Sequence, residues 1–348
     1  VSKREETKEA LRKNTRKIEE QNFIVTEKSK ENIQTLSRYM EIGVPVLLEG
    51  ETGTSKTLTA EIVCELYDYD LIRFNLSSET RIADLFGRYF GDENSWSGIS
   101  YQDGPFFIAF KEGKIFLLDE INLASSSVLQ CIEEALDSGY LSVEIPGKPL
   151  KERIKMHPNF RLIATQNPNK GSYANKRQNL GQKFYSRFQI INFPQFKENE
   201  LLDIGQGLAK RFKYSNLNVI SDLVSFHKKW SEMSDDIQFF TIREIAATIK
   251  AFSQNESIYD TIMTIYGARY EKKTKDKLID FLKTNYPNLC KDSRDKNYPE
   301  FDGCYMNKSL KSVIKSVLFS LDNGRNVIIT GKKGCGKTQV ALWISEYY

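Results

Sequence analysis

The chain has 348 residues, 40% of them hydrophobic and 28% charged, a length that suits two or three domains with real cores. Its 50 Lys and Arg against 46 Asp and Glu leave a net charge of +4, without the basic excess that a nucleic-acid reader carries. Two distant histidines, His157 and His227, argue against a His-based metal centre, and apolar runs no longer than a strand fall short of the ~20 residues of a membrane helix.

The five cysteines (Cys64, Cys131, Cys290, Cys304 and Cys335) form no C-x-x-C pair and are odd in number, which suits reduced thiols in an intracellular protein. The first residue is Val, and the opening stretch VSKREETKEALRKNTRKIEE mixes both charges with almost no apolar face. Residues 1–23 are therefore expected to be a charged helical tail or linker, and the chain a piece of something larger.

From there the pattern alternates. Thr26 to Met40 places Ile33 and Leu36 at helical spacing, and VPVLLEG after it is an apolar run between Gly43 and Gly50 that suits a central parallel strand. Thr57 to Tyr67 reads as a helix, LIRFNLS (71–77) as a strand, and Ser78 to Phe86 as a helix. Residues 91–104 are rich in turn formers and predict an inserted hairpin. KIFLLDE (114–120) is a third buried strand, and SSSVLQCIEEALDSG a helix with serine caps and a glycine stop. Residues 140–158 predict a second hairpin, FRLIATQNP a fourth strand and FQIINFP a fifth. Alternating strands and helices argue for an α/β fold on a parallel sheet, residues 24–195.

After Pro194 amphipathic helices take over, over 198–212, 219–230, 242–252 and 258–269, with Val219, Ile220, Leu223 and Val224 on one face. They predict an all-helical domain over 196–285. The charged stretch Lys272 to Tyr298 reads as its tail and a linker, the linker proper being 286–305.

Two segments repeat. An offset of 281 residues carries SKENIQTLSRYMEIGVPVLLEG (29–50) onto LKSVIKSVLFSLDNGRNVIITG (310–331), and GETGTSKT (50–57) onto GKKGCGKT (331–338). Each copy reads as helix, glycine turn, buried strand and glycine-rich loop. Residues 306–348 are thus expected to open a second module of a tandem array.

The loops have the spacing of a phosphate-binding loop. In the first, the backbone amides of Gly50, Glu51, Thr52, Gly53, Thr54 and Ser55 are expected to cradle phosphate oxygens. Lys56 would reach the β- and γ-phosphates of ATP, and Thr57 would ligate Mg²⁺. Ser55 stands where the pattern has a second glycine, so a left-handed backbone there would cost about 1 kcal/mol. In the second loop the corresponding residues are Gly331, Gly334, Cys335, Gly336, Lys337 and Thr338. Asp119 and Glu120 end a buried strand, where one acid can hold Mg²⁺ and the other can take a proton from the attacking water. Asn167, at the end of another strand, can orient that water. Arg187 and Arg243 are single arginines with no assignment from spacing alone.

Read together, LLEGETGTSKT, IFLLDEINLA, NFRLIATQNP, QKFYSRF and FFTIREIA make the chain resemble an AAA+ ATPase, and within that class the dynein-related, midasin-like group and, more distantly, the MoxR-type ATPases. The resemblance spans about residues 24–270 and returns over 306–348. It implies that Gly50 to Thr57 are Walker A, Asp119 and Glu120 Walker B, Asn167 sensor 1, Arg187 an arginine finger serving a neighbouring module, and Arg243 a sensor 2 arginine on a lid helix. Residues 91–104 match the group's helix-2 insert and 140–158 its pre-sensor hairpin. The implied fold is a P-loop core with a helical lid, repeated along one polypeptide to form a ring.

The implied function is an ATP-hydrolysing module of a mechanoenzyme. Its partners would be neighbouring modules and a protein or ribonucleoprotein assembly, pre-ribosomal for a midasin-like protein, with no membrane and no direct nucleic-acid readout. The setting would be the nucleus or nucleolus, and otherwise the cytoplasm. Two alternatives stand beside it: a module that holds ATP structurally without turnover, to which Ser55 points, and the motor core of a giant AAA+ protein with another attached activity such as a ubiquitin ligase.

Overall fold

The computed structural model describes residues 23–91, 98–143, 152–168, 180–233, 240–254, 257–290, 308–322, 324 and 326–347, so residues 1–22 of the expected tail (1–23) and 291–305 of the expected linker (286–305) lie outside the described residues. The chain divides into two units, Val1–Phe196 and Lys197–Tyr348.

The first unit is built on five parallel strands: β1 Val46–Gly50, β2 Leu71–Asn75, β5 Ile115–Asp119, β8 Arg161–Gln166 and β9 Gln189–Phe193, in the order β2-β5-β8-β1-β9. β1 is flanked on both sides, Leu47 pairing with Ala164 of β8 and with Ile190 of β9. A parallel strand covered on both faces has no polar side, and this is why β5 reads as an unbroken apolar run: Ile115, Phe116, Leu117 and Leu118 are all buried.

The two faces alternate residue by residue. Leu47, Phe116, Leu118, Leu162 and Ala164 join one core cluster with Phe106, Phe110 and Phe160. Val46, Leu48, Ile115, Leu117 and Ile163 join the other with Ile33, Leu36 and Met40. Each buried Leu, Ile or Phe contributes on the order of 1.5–3 kcal/mol, so the two layers supply the main stabilisation of this unit. Gly50 is required by packing, since a Cβ there would stand 2.1 Å from the carbonyl oxygen of Phe193 on β9.

Helix α1 (Glu27–Ile42) starts on a capping box between Thr26 and Ser29 and stops at Gly43, whose φ of 86° lies in the left-handed region. Helix α2 (Lys56–Leu66) follows the first glycine loop and buries Ala60, Ile62 and Val63. Cys64, on the same helix, is buried, and burial pushes its thiol up to about 12, which leaves it inert. The helix expected over 78–86 is shorter. Ser77 to Thr80 instead form a turn, with the Thr80 hydroxyl accepting from Ser77 N at 2.9 Å, and helix α3 covers only Ile82–Phe86. Local side-chain bonding of this kind competes with helix formation.

Two antiparallel hairpins form: β3 Gly87–Gly91 with β4 Ile99–Asp103, whose first strand starts four residues ahead of the expected 91–104, and β6 Tyr140–Val143 with β7 Glu152–Lys155, within the expected 140–158. Helices α4 (Pro105–Glu112), α5 (Ser126–Ser138) and α6 (Gln182–Tyr185) complete the unit.

The second unit is helical: α7 Glu198–Arg211, α8 Leu217–Glu232, α9 Ile242–Ser253, α10 Ile258–Ile265, α11 Lys272–Asn285, α12 Lys308–Asp322 and α13 Lys337–Tyr347. On α8, Val219, Ile220, Leu223 and Val224 are buried as their spacing requires. Phe226, Trp230, Phe240, Tyr266, Phe281 and Tyr286 pack ring against ring, with Phe240 and Tyr266 centroids 4.8 Å apart. The stretch expected to be a charged tail is better packed than its composition suggests. Leu278 and Leu282 on α11, one turn apart, and Leu289 beyond it are fully buried, so helical packing runs past Asn285 to Cys290.

Val327 to Thr330, the counterpart of β1 in the repeat, adopts no strand, because a strand exists only through ladder bonds to a neighbour. Ile328 is consequently 87% exposed, while Ile314, Leu318, Val340 and Ile344 of α12 and α13 cluster beside it in sequence.

Candidate nucleotide site

The loop between β1 and α2 turns on two left-handed residues, Gly53 with φ 83° and Ser55 with φ 66°. Its repeat turns on Gly334 with φ 85° and Gly336 with φ 83°. The correspondence extends to the bonds. Lys56 Nζ donates to the carbonyls of Gly50 at 2.7 Å and Glu51 at 2.8 Å, and Lys337 Nζ to those of Gly331 at 2.9 Å and Lys332 at 2.8 Å. Thr54 N donates to Glu51 O, and Cys335 N to Lys332 O, both at 3.4 Å. Ser55 adopts the conformation that glycine occupies in the second copy, at a cost of roughly 1–2 kcal/mol.

Parallel strands deliver the other polar residues to the same end of the sheet. Lys56, only 7% exposed, donates to Asn167 Oδ1 at 2.7 Å. Asn167 Nδ2 donates to Glu120 Oε1, and the Asn167 carbonyl accepts from Asn122 Nδ2 at 2.8 Å. Glu120 takes a left-handed backbone with φ 58°, and its amide donates to Thr165 Oγ1 at 3.1 Å. Asp119 is 9% exposed, and its Oδ1 accepts from the hydroxyls of Thr57, at 3.0 Å, and Thr165. Arg73 Nη2 donates to its Oδ2 at 2.6 Å. Five expected residues, Lys56, Thr57, Asp119, Glu120 and Asn167, thus meet in one hydrogen-bonded cluster.

The two arginines make other bonds. Arg187 forms a forked pair with Asp137 of α5, Nε to Oδ1 at 2.7 Å and Nη2 to Oδ2 at 2.5 Å, and Nη1 reaches Glu133 Oε1 at 3.2 Å. The hydrogen-bonded guanidinium holds the Asp137 carboxyl below its ordinary range. Arg243 is exposed in the first turn of α9 in the second unit, its amide bonded to Thr241 Oγ1 at 3.2 Å.

The donor set fits a magnesium nucleotide. Thr57 and Asp119 present hard oxygens 3.0 Å apart, the ligand type that Mg²⁺ takes. The loop amides precede a helix N-terminus, where anions are favoured. The buried Asn122 Oδ1 has no hydrogen-bond partner among the described residues, so this end of the sheet holds spare polar capacity. Spacing did not single out Arg73, Glu61, Asn122 or Thr165. The available signals were a charge inside the apolar strand LIRFNLS and a hydroxyl at the end of FRLIAT.

Comparison with known proteins agrees with this geometry. Residues 45–188 match the AAA domain (dynein-related subfamily). Midasin from Giardia intestinalis is 31% identical over 182 residues, 52% of this chain and 4% of the midasin. Midasin from Dictyostelium discoideum is 34% identical over 178 residues, 51% of this chain and 3% of its own length. The denitrification regulatory protein NirQ of Pseudomonas aeruginosa is 31% identical over 163 residues, 46% of this chain and 58% of NirQ. The chain spans less than a twentieth of those midasins. Among the described residues no helix is long and apolar enough to cross a membrane. Residues 45–188 are thus similar to AAA domains of the dynein-related subfamily, and about half of the chain is similar to the midasins and to NirQ.

Proposed function

We propose that this domain binds and hydrolyses ATP as one module of a tandem mechanoenzyme that remodels a large assembly. The observation that carries the reading is the bonded series Lys56–Asn167–Glu120 beside Thr57–Asp119, which gathers a phosphate-binding cation, a polar amide and two acids on one edge of the sheet.

The roles follow the chemistry. Amides of Gly50 to Thr57 and the Lys56 ammonium bind the phosphates. Thr57 and Asp119 hold Mg²⁺, which when bound supplies positive charge against the phosphate oxygens. Glu120 takes the proton of the attacking water, and Asn167, bonded to Glu120, orients that water. Arg187 serves the nucleotide of a neighbouring module, and Arg243 acts from the helical unit. The matching bond geometry of the loops at Lys56 and Lys337 supports a tandem arrangement. The midasin-like resemblance of its motifs makes a pre-ribosomal assembly the proposed substrate.

The test is ATP turnover compared between wild type and Glu120→Gln, with retained nucleotide measured in parallel. Loss of a positioned base is expected to lower turnover by about 10²- to 10⁴-fold while nucleotide stays bound. Unchanged turnover would overturn catalysis at this site. The strained Ser55 favours a second reading, a module that holds ATP without turnover, and the same experiment separates the two.

A further inference from the structure

Arg73 is the one cation bonded to the Asp119 carboxylate among the described residues. On β2 it stands in register with Leu117 of β5, so its side chain shares a face of the sheet with residue 119, two positions on. Its fork is divided between two acids, Nη2 to Asp119 Oδ2 at 2.6 Å and Nη1 to Glu61 Oε1 at 2.9 Å. Glu61 lies on α2 four residues after Thr57, on the same helical face. Arg73 therefore ties the helix that carries Thr57 to the strand that carries Asp119.

Occupation of Oδ2 settles the rotamer of the carboxylate, and Oδ1 is left facing Thr57 at 3.0 Å. A guanidinium beside a cation site would ordinarily repel the cation. Here Glu61 offsets it, so Glu61, Arg73 and Asp119 together carry the single negative charge that Asp119 would carry alone. The side chain of Arg73 is 47% exposed, and an ordinary surface pair of that kind contributes about 0–1 kcal/mol. The Asp119 side chain is only 12% exposed, which makes the contact one between a nearly buried carboxylate and a charged donor.

We infer that Arg73 is a positioning residue for Asp119, with Glu61 as its counter-charge, and that the pair sets how strongly a divalent cation is taken up with the nucleotide. The inference rests on the reading of Thr57 and Asp119 as the cation-holding pair.

The test measures binding of a fluorescent ATP analogue by anisotropy, in EDTA and across a MgCl₂ titration, with Lys337→Ala in every variant so that only the first loop reports. The double variant Arg73→Met, Glu61→Gln keeps the local charge and removes the clamp. Loss of an outer-shell partner typically weakens metal binding about 10- to 100-fold, so the Mg²⁺ needed for half-maximal tightening is expected to rise at least ~10-fold. Affinity in EDTA should stay within about two-fold of the parent, because the charge is conserved. Arg73→Lys, which keeps the charge and loses the fork, should shift the Mg²⁺ dependence part of the way, and it decides the matter if the double variant does not fold. An unchanged Mg²⁺ dependence, or an equal loss in EDTA and in Mg²⁺, overturns the inference. Asp119→Asn is run beside them: if it too leaves the Mg²⁺ dependence unchanged, the fault lies with the reading of Thr57 and Asp119 rather than with Arg73.

Discussion

Lys56 and Asn167, 111 positions apart in the chain, meet at 2.7 Å, ammonium to amide oxygen. The same amide turns its nitrogen to Glu120, so one side chain joins the first glycine-rich loop to the acid at the end of β5. Asn167 is 5% exposed, which makes its two bonds costly to lose.

Asn167→Ala is accordingly expected to separate binding from turnover. Lys56 keeps its two backbone acceptors, Gly50 and Glu51, so ATP affinity should change by less than about ten-fold, or 1.4 kcal/mol. Glu120 loses the partner that orients it, and turnover should fall by roughly 10²-fold or more. Isothermal titration with ATP beside a phosphate-release assay checks both numbers. A matched loss in the two would mean that Asn167 only holds the loop together.

Ser55→Gly relieves a left-handed backbone at φ 66°. The strain relieved is about 1–2 kcal/mol, and the added freedom of the unfolded glycine takes back about 0.5–1 kcal/mol. The net expectation is a gain of up to about 1.5 kcal/mol in the first unit, read as a higher urea midpoint. A lower midpoint would show that the serine side chain makes a contribution larger than its strain.

His227 gives the second unit a pH dependence. It is 4% exposed against Tyr266, with Nδ1 2.9 Å from the phenol oxygen, and burial lowers its pKa from 6.5 to about 4 despite the opposing pull of Glu244. The folded state therefore holds the neutral ring while the unfolded chain takes up a proton below pH 6.5. Stability from this group is intact above pH 6.5 and is lost on acidification towards pH 4, at about 1.4 kcal/mol per pH unit. Thermal melts at pH 7.5 and 5.0 should show a larger drop for wild type than for His227→Gln. Equal drops would place the acid sensitivity in the carboxylates.

Much of the fold was legible because its physical causes are local. β1, β5 and β8 are covered on both faces, and only continuous apolar runs such as VLL and IFLL satisfy that, so the runs announce the strands. The glycine loops declare themselves by spacing, and Ser55 could be marked as strained because the loop pattern has a glycine at that position. The short helix α3 was overestimated, since a serine–threonine turn at 77–80 takes the residues that composition assigned to it. The packed end of the helical unit was underestimated, since three leucines within a charged stretch suffice to anchor it.

By itself the sequence determined the elements, the repeat and the identities of Lys56, Thr57, Asp119, Glu120 and Asn167 as chemically apt residues. Apart from the repeat, which is read at an offset of 281 residues, each of those signals is carried by neighbours within a few positions. Tertiary structure alone decided that the sheet runs β2-β5-β8-β1-β9, which sets β5 and β8 between β1 and β2. That order seats Asn167 between Lys56 and Glu120, and it brings Arg73 to Asp119. Strand order and register depend on which faces bury best together, a property of the whole chain that no short window of sequence contains.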